Sequence, residues 1–523
     1  MHENPLKLQS RQISKTMRLL YLAGSACGLA GCALAPHQEQ PLETFSRWDA
    51  PSVTLGAQNA NDLVVHSNTE NWWTELQDPA INALVEATLG SSPDLAQAMA
   101  RIQEAQASLG EARSADLPQI AGSLSATRGS SQTATSSSRT QVGSAGNAGL
   151  TIGWEIDLFG RLRAQRLAAQ QRLNARNIDA QGMRVALAAQ VADRTVEWRS
   201  CSYLSEVQQW EVSSQEATLA LVRQRVSSGI SAPIDGFRAT NDVEQARTNA
   251  LAQQELCGRT LNALVALSGL EPDEVRKALS QPPLSGTRAC RIERFESSGR
   301  CDLLEDSGTS VVVAAPPRIG LAVPAVVLAE NPSVVSAQRE LAAAHADLDA
   351  ARASRYPSLN LATLLTGQWL RFGGQALDFA TWSAGAVLSA PLLDGGAATA
   401  NIDGAEARYR EALARTIAIL RSSEQDIENA LLATTSAERR CETTQRAATA
   451  AATSTRIVQL QWQAGATTLL DLEDSRRQYA VAVQSAITAA RDRSQSWIAV
   501  VRATGNRGIT TPGLSPKEPN HVE

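Results

Sequence analysis

Bulky side chains are scarce in this sequence of 523 residues. Aromatic residues make up 4% of it, and much of its 43% hydrophobic content is alanine, which lets helices approach closely but fills little volume. This composition favours an extended assembly of long helices over several compact cores. Lysine is nearly absent as well, because only Lys277 and Lys517 occur beyond position 18, and the net charge is −5. A basic surface of the kind that binds nucleic acid is therefore excluded.

Residues that carry enzymatic chemistry are also few. The histidines beyond the N-terminal segment are widely scattered, at His37, His66, His345 and His521. The sequence contains no G-x-S-x-G or HExxH motif and no Walker A motif. Cysteines at the paired short spacing of a metal site are also missing. We expect neither an enzyme nor a bound cofactor or metal.

The N-terminus has the pattern of a bacterial lipoprotein signal. Basic residues between Lys7 and Arg18 precede an apolar stretch that is too short to span a bilayer, and this stretch ends in Leu-Ala-Gly-Cys at Cys32. The ending resembles the lipobox, so Cys32 is the expected lipidated residue. Ala33 stands where an aspartate would indicate the inner membrane, which implies outer-membrane sorting. An ordinary secretory signal is the alternative, and Met17 is an alternative start.

Landmarks recur along the chain at a nearly constant separation. In each half, two prolines enclose a helical pattern, and further on a glycine lies six residues before an aspartate. The landmarks are Pro93, Pro118, Gly229 and Asp235 in the first half, and Pro332, Pro357, Gly465 and Asp471 in the second half. The separation is 239 residues for the prolines and 236 for the later pair. This internal repeat predicts one unit of several elements that occurs twice.

Each predicted unit contains a helix, a pair of β-strands, a very long helix, a glycine turn and a returning helix. The first unit covers 80–271, with a helix to about 114, a hairpin at 118–158, a long helix at 160–228 and a return helix at 233–270. The second covers 326–505, with a helix at about 331–355, a hairpin at 357–392, a long helix at 396–463 and a return helix at 468–503. The other predicted segments are a signal peptide at 1–31, a lipidated linker at 32–79, an equatorial insertion at 272–325 and a flexible tail at 506–523.

The predicted strands alternate between apolar residues and small or polar ones. Leu150 and Trp154 share one face of the clearest strand, and Trp382 and Leu388 share one face of its counterpart. Such alternation is typical of transmembrane barrel strands with lipid outside and water inside. A half-buried sheet on a soluble core is the alternative. A Ser/Thr/Gly-rich segment at about 129–146 predicts an exposed loop between the first two strands.

The long helices at 160–228 and 396–463 contain no proline. At 1.5 Å per residue, a helix of this length reaches roughly 100 Å, whereas globular helices average about a dozen residues. Helices this long need lateral support from other helices, as in coiled coils. They are also too long to form a compact core beneath the strands, which favours the membrane interpretation of the strands.

This order of elements, with short motifs in the same order, resembles the TolC/OprM outer-membrane factor family and, within it, the outer-membrane efflux lipoproteins of the NodT type. The resemblance covers about residues 65–505. The motifs that carry it are Asn71-Trp72-Trp73 with Asp78-Pro79, Ser92-Pro93-Asp94-Leu95, Trp154 through Arg161, Pro391 through Gly396, and Gly465 through Asp474. Each motif is weak alone, and their common order makes the resemblance specific.

The resemblance implies an α+β membrane protein in which the duplicated β-hairpin and long-helix repeats form a homotrimer. Its 12-stranded β-barrel would lie in outer-membrane lipid, and an α-helical periplasmic tunnel would continue it. Four strands per chain cannot close a barrel, and each unsatisfied backbone group at an open edge in lipid costs several kcal/mol. Trimerisation therefore has a physical reason besides the resemblance.

The implied function is a passive exit duct for small molecules in a tripartite efflux system. The lipid-anchored channel would extend from the cell outer membrane into the periplasm and work with a periplasmic adaptor (a membrane fusion protein) and an inner-membrane pump. An exit duct of a type I protein secretion system and a non-channel periplasmic coiled-coil lipoprotein are the alternatives.

The turns between the long and returning helices are the predicted functional sites. The resemblance implies that the tips at Gly229 and Gly465 contact the adaptor. It also implies a periplasmic gate just past the second turn, where Asp471 and Asp474 match the family's acidic positions. In a trimer these carboxylates would repel one another, which would raise some of their pKa values and attract cations.

Helix capping is the alternative explanation of the first acid. Asp471 lies in a first turn, where the helix macrodipole favours aspartate, and one of the two preceding threonines is the expected N-cap. Asp474 lies deeper in the helix, so it is the stronger gate candidate. The first tip has Asp235 and Arg238 at the equivalent positions, so only the second tip carries both acids.

Five cysteines remain in the mature chain beyond the lipidated one. Cys201 and Cys257 each lie 28 residues from the first turn glycine, so the antiparallel helices joined there predict a disulfide between them. Cys290 and Cys301 would close a short loop in the insertion, and Cys441 is left over. Alternatively, all five are small buried apolar residues.

Overall fold

A computed structural model describes residues 47–49, 71–132, 140–283, 324–372 and 375–506, with short pieces at 291–292, 310–311, 313, 316–317, 320–321 and 509–510. All of these residues belong to one structural unit, Phe45–Glu523. Cys32, Cys290 and Cys301 lie outside the described residues.

The first repeat begins with two helices rather than one. Its elements are α1 (Pro79–Ser91), α2 (Pro93–Ser114), β1 (Gln119–Gln132), β2 (Thr140–Ile156), α3 (Arg161–Ser227) and α4 (Pro233–Ser268). The single helix expected to 114 is interrupted at Ser92, which has an extended backbone and caps α2 with its hydroxyl. Pro93 occupies the first turn of α2, where a missing N–H costs nothing.

The second repeat reproduces the first with helices of identical length. Its elements are α7 (Pro332–Ala353), β6 (Ser358–Phe372), β7 (Gln375–Ser389), α8 (Ala397–Gln463) and α9 (Leu469–Thr504). In both repeats the three main helices contain 22, 67 and 36 residues. Between the repeats lie α5 (Pro272–Leu279), β3 (Arg291–Ile292), β4 (Ser310–Val311), β5 (Gly320–Leu321) and α6 (Pro324–Glu330), and β8 (Ile509–Thr510) pairs with β5.

The four long strands form one antiparallel sheet in the order β1-β2-β6-β7, which leaves β1 and β7 at its edges. The loop expected at 129–146 is shorter, because pairing continues to Gln132 and resumes at Thr140. Serine and glycine are weak strand formers alone, but the ladder and the neighbouring strands override that preference. The strand expected to 392 ends at Ser389, because Pro391 has no N–H for a ladder.

The sheet has one apolar face. Leu150 lies opposite Leu365, which in turn lies opposite Trp382, so these three share a face with every second residue of each strand. In β1 and β2 the other face carries polar and small residues. In β6 and β7 it mixes such residues with exposed apolar ones, among them Leu364, Phe379 and Val387. Leu150, Leu365 and Trp382 are all exposed in the single chain.

The helices form two hairpins, α3 with α4 and α8 with α9, and α3 also packs against α7 and α9. The main core includes Trp72 and Trp497, whose ring centroids are 5.7 Å apart. Beside it, the buried Arg199 guanidinium binds both carboxylate oxygens of Asp78, at 2.7 and 2.8 Å, and donates to the carbonyls of Leu279 and Gln281. Among the helices that the structure describes, none combines the length and the apolar character needed to cross a membrane.

Two disulfides involve cysteines of the long helices. Cys201 of α3 is bonded to Cys257 of α4, with Cα atoms 5.6 Å apart. Cys441 is not left over, because it is disulfide-bonded as well. It packs with Ala489 and Ala490 on the returning helix of its own hairpin.

Candidate functional site

The two hairpin tips have the same backbone. After the last residue of each long helix come a cap residue and then a glycine whose backbone is left-handed. These glycines are Gly229, with φ 73°, and Gly465, with φ 71°. In both tips the N–H after the glycine donates to a carbonyl five residues back, from Ile230 to Arg225 and from Ala466 to Gln461. This is the bond of a Schellman motif, which glycine favours because it lacks a Cβ.

In the second tip, Asp471 serves the helix end. Thr468 is the N-cap of α9 and forms a capping box with Asp471, in which each side chain bonds the other residue's backbone N–H. The same carboxylate oxygen also accepts from the hydroxyls of Thr467 and Thr468, at 2.9 and 2.6 Å. The hydroxyl and amide of Thr468 hold the pKa of Asp471 below its ordinary value. Within one chain the pKa of Asp471 is therefore lowered, whereas repulsion between carboxylates in a trimeric ring was expected to raise it.

Asp474 has a basic partner that the sequence interpretation overlooked. Its carboxylate pairs with the guanidinium of Arg477, one helical turn along α9, and the two side chains are 51% and 47% exposed. The i,i+3 spacing of an acid and a base was visible in the sequence. The second tip therefore presents two carboxylates and one compensating guanidinium on a single stripe of the helix.

A second ion pair lies on the buried side of the same helix. Glu473 is 6% exposed, and it accepts from Arg476, which also donates to the hydroxyl of Ser214 on α3 at 3.3 Å. Within the described residues, Glu473 Oε2 and Arg476 Nε have no hydrogen-bond partner. No local signal marked Glu473 for burial, because the serine that completes the contact lies 262 residues from Arg476 in the sequence.

Aromatic and acidic residues extend this contact along α3. The rings of Trp210 and Tyr479 meet edge to face, with centroids 6.3 Å apart. Burial raises the pKa of Glu211, and the nearby positive charge of Arg477 opposes that increase. The second hairpin is thus held to the first long helix by polar and aromatic contacts close to its tip.

The first tip has different chemistry on the same backbone. Asp235 and Arg238 form a loose, exposed ion pair of 3.7 Å. Three large apolar residues, Ile230, Ile234 and Phe237, are exposed around them, and Phe237 is 73% exposed. The structure therefore brings the two expected acids together only at the second tip, and it gives the first tip an apolar surface.

A cavity of about 830 Å³ lies between the repeats at the level where the chain passes from one to the other. Its charged lining residues are Arg101, Asp179, Asp426 and Arg502. Close to Arg502 lies Asp193 of α3, and burial raises the pKa of this carboxyl to about 6 although two arginines oppose the shift.

Comparisons with known proteins confirm the resemblance seen in the sequence. The family model of outer membrane efflux proteins matches residues 84–270 and 323–506, one segment in each repeat. The pyoverdine export outer membrane protein OpmQ of Pseudomonas putida is 26% identical, over 93% of this chain and 97% of that protein. Nodulation protein T of Rhizobium leguminosarum is 23% identical, over 91% of this chain and 95% of that protein.

Solved structures show the same fold. The CmeC outer membrane channel of Campylobacter jejuni superimposes with a TM-score of 0.75 at 20% identity, over 91% of this chain and 95% of that chain. The outer-membrane channel OprN superimposes with a TM-score of 0.72 at 22% identity, over 90% of this chain and 98% of that chain. With both repeats matched by the family model, this chain belongs to the outer membrane efflux protein family.

Proposed function

We propose that the chain is one protomer of a trimeric outer-membrane channel that serves as a passive exit duct for small molecules. The observation that carries the proposal is a four-stranded sheet with one apolar face and two unpaired edges, β1 and β7. In lipid the apolar face would be satisfied, whereas the edge N–H and C=O groups would not. Three copies supply twelve strands, which close a barrel and remove every edge.

The paired 67-residue helices support a periplasmic tunnel below that barrel, because they extend roughly 100 Å. A duct of this kind has no energy source of its own, so we propose that a periplasmic adaptor and an inner-membrane pump supply and energise the cargo. The adaptor would contact the tips at Gly229 and Gly465. The similarity to OpmQ, a pyoverdine export protein, favours small-molecule cargo over the protein cargo of a type I secretion system. We retain Cys32 as the proposed lipid anchor.

Asp471 and Asp474 are the proposed periplasmic gate, with a charge balance that includes Arg477. Three copies would place six carboxylates and three guanidinium groups at the tunnel mouth, so the ring would keep a net negative charge and favour cations. Thr468 stabilises the charged form of Asp471, and Asp474 forms an ion pair with Arg477. The mouth is therefore expected to remain anionic at neutral pH.

Conductance of the purified protein in planar bilayers tests this function. We expect heat-modifiable trimers that form pores with a preference for cations. Asp474→Asn should weaken that preference, and Arg477→Gln should strengthen it, whereas Arg238→Gln at the first tip is a matched control with a smaller effect. Trimers without pores, or no trimers at all, would contradict the channel and favour the coiled-coil lipoprotein.

A further inference from the structure

We infer that each protomer binds the phosphate group of an anionic lipid on the apolar face of its sheet, at the end where the strands turn. The site consists of Arg128 of β1, Ser144 of β2 and Arg371 of β6, and we call these three residues the arginine row. This inference rests on the proposed function, which places the apolar face in lipid and the helices in the periplasm, so that the hairpin turns point away from the periplasm. It adds a ligand class to that function.

Charged residues are scarce in the four long strands and are unevenly placed. The strands contain four of them, Arg128, Glu155, Arg371 and Asp378. Glu155 lies near the helical end of β2, on the face opposite to that of Trp154. The other three lie near the hairpin turns, on the apolar face. A charge on a lipid-facing surface is costly at the bilayer centre and is tolerated near the interface, so these three charges mark the headgroup level.

The register of the strands aligns the two arginines. Ser144 lies opposite Arg128 on one side and opposite Arg371 on the other, and all three side chains are exposed. They share the face of the opposed pair Leu150 and Leu365, which lies six residues along each strand. With one strand between them, the Cα atoms of the two arginines are roughly 10 Å apart. Both side chains are long enough to reach one phosphate group, with the serine hydroxyl between them.

Asp378 of β7 orients the guanidinium group of Arg371. Two of its nitrogens bind the two carboxylate oxygens, one of them at 3.1 Å, and one of these nitrogens also donates to the Leu370 carbonyl at 3.2 Å. These bonds use three of the five N–H donors of the guanidinium, so the others are available to a ligand. Together with Arg128, the three charged groups sum to one positive charge in each protomer.

The depth of the arginine row fits the boundary of the lipid. Leu359 and Leu388 form an opposed apolar pair near the helical end of the sheet, and Arg371 lies twelve residues farther along β6. This separation is roughly 40 Å along the strand, or roughly 30 Å across the membrane at a strand tilt of about 40°. The apolar band of an outer-membrane barrel is about 25 Å tall. The guanidinium groups therefore lie just beyond the band.

An aromatic ring lies at the edge of the same band. Trp369 precedes Arg371 by two residues on the apolar face, and it is exposed. Its ring lies over Gly146 of β2, since a Cβ on that glycine would be 3.0 Å from Trp369 Cε3. Tryptophan favours membrane interfaces because its ring is apolar and its N–H is polar. An acyl chain can thus contact this ring while its headgroup contacts the arginines.

The chemistry of the row favours a phosphate group as the ligand. Guanidinium groups bind phosphate oxygens through paired N–H donors, and these charge-assisted bonds are stronger than neutral ones. The serine hydroxyl adds another donor. A lipid is favoured over a free phosphate ion, because apolar surface adjoins the row directly and only a lipid would use it.

Lipid binding by the full-length, membrane-extracted trimer tests the site. Lipid A, a glycolipid with two phosphate groups, is titrated into the trimer in detergent, and native mass spectrometry measures the fraction bound. We expect Arg128→Gln to bind lipid A about tenfold more weakly than the wild type, because a hydrogen bond to a charged group is lost. Arg410→Gln is the matched control, because it removes an exposed guanidinium that pairs with Glu406 on α8, and its affinity should equal that of the wild type.

A second variant removes the other guanidinium without leaving an unpaired carboxylate. Arg371→Gln with Asp378→Asn should also weaken binding about tenfold, and lipid A without its phosphate groups should bind the wild type no better than lipid A binds these variants. Equal affinity of Arg128→Gln and Arg410→Gln for lipid A, or equal binding of the lipid without phosphate, would overturn the site. Displacement of lipid A by an equal concentration of inorganic phosphate would overturn the choice of a lipid.

The same preparations separate this site from the proposed channel, because trimer formation and conductance are measured before the titration. Trimers that conduct ions and bind lipid A independently of Arg128 would overturn the site alone. A chain that neither forms trimers nor conducts ions would overturn the channel, and the site with it.

Discussion

The two repeats of this chain share a backbone and differ in how they use it. At the second tip a capping box, a buried ion pair and an aromatic contact hold the returning helix to the rest of the chain. At the first tip the N-cap position is Ala232, whose side chain makes no cap, and Phe237 replaces the buried Glu473. Duplication kept the positions of the elements, whereas the side chains diverged according to what each surface covers.

Farther from the tips, the two repeats also differ in the contacts that stabilise them. There the first repeat has a buried ion pair of Asp78 with Arg199 and a disulfide of Cys201 with Cys257, whereas the disulfide-bonded cysteine of the second repeat is Cys441. The second repeat has Thr435 at the position of Arg199 and Ala437 at that of Cys201. The two repeats are thus stabilised by different contacts, and substitutions that remove a contact or transfer one between the repeats test this difference.

The largest effect is expected at Arg199. Arg199→Ala would leave the Asp78 carboxylate buried without its partner, and breaking one side of a buried pair costs about 3–5 kcal/mol. Urea unfolding followed by tryptophan fluorescence measures the loss, because Trp72 and Trp497 lie in the adjoining core. Arg194→Ala, which removes an exposed i,i+3 pair with Glu197, should cost less than about 1 kcal/mol. Equal losses in both variants would show that the buried pair has no special weight.

Removal of the first disulfide comes next. Cys201→Ala with Cys257→Ala opens a loop of 56 residues, and bonds of this kind contribute about 2–4 kcal/mol. The expected result is a lower thermal midpoint under oxidising conditions. Because reductant acts on Cys441 as well, the double variant isolates this bond. An unchanged midpoint would mean that the packing of α3 on α4 needs no covalent support.

Asp193→Asn is expected to stabilise the chain, since Asn429 already occupies the equivalent position in the second repeat. Burial raises the pKa of Asp193 to about 6, so the folded chain binds this proton more tightly than the unfolded chain. The free energy of unfolding is therefore not reduced by Asp193 in acid, and it falls as the pH rises from about 4 through about 6, because the buried carboxyl then becomes charged. The gain should reach about 3 kcal/mol at neutral pH and vanish below about pH 4. Unfolding curves across that range check the sign, and a gain independent of pH would refute the electrostatic cause.

The smallest effect is expected at the cap of the second tip. Thr468→Ala should cost about 1 kcal/mol, because it removes the N-cap of α9. The folded chain lowers the pKa of Asp471. The stabilisation by its carboxylate is therefore fully present when the pH is above the ordinary pKa of an aspartate, and it is lost as the pH falls through the lowered pKa. The cost should therefore shrink in acid. Ala232→Thr adds the missing cap to the first tip and should stabilise it slightly, and a destabilising result would mean that the two tips are not interchangeable.

Long periodic elements were predictable from the sequence, and contacts between distant residues were not. The ends of the long helices follow from local features, namely glycine turns and the absence of proline. The extent of the first hairpin did not follow, because its serine- and glycine-rich strand ends depend on pairing with neighbours that periodicity does not reveal. The break at Ser92 is a local feature that a long helical pattern concealed.

At the candidate site, too, local features were predictable from the sequence and contacts between distant residues were not. The capping of Asp471 was recognisable from two preceding threonines, and the partner of Asp474 lies three residues away in plain view. The burial of Glu473 depends on α9 resting against α3, and that contact is tertiary. The disulfide of Cys441 was missed, because the spacing around the first turn glycine indicates partners only for Cys201 and Cys257.

Each repeat closes on itself where its last helix ends. A Cβ on Gly505 would lie 2.2 Å from Pro332 Cδ, and the Asn331 side chain donates to the carbonyl of Ala503 at 2.8 Å. In the first repeat, the Ser91 hydroxyl likewise donates to the carbonyl of Ser268. The start and the end of each unit are therefore neighbours, as in proteins that tolerate circular permutation. A circularly permuted repeat could therefore start at its tip turn, with a short linker joining the original first and last residues of the repeat. Its helices and strands would keep their places, and the new chain ends would lie at the tip, where the partner proteins are proposed to bind.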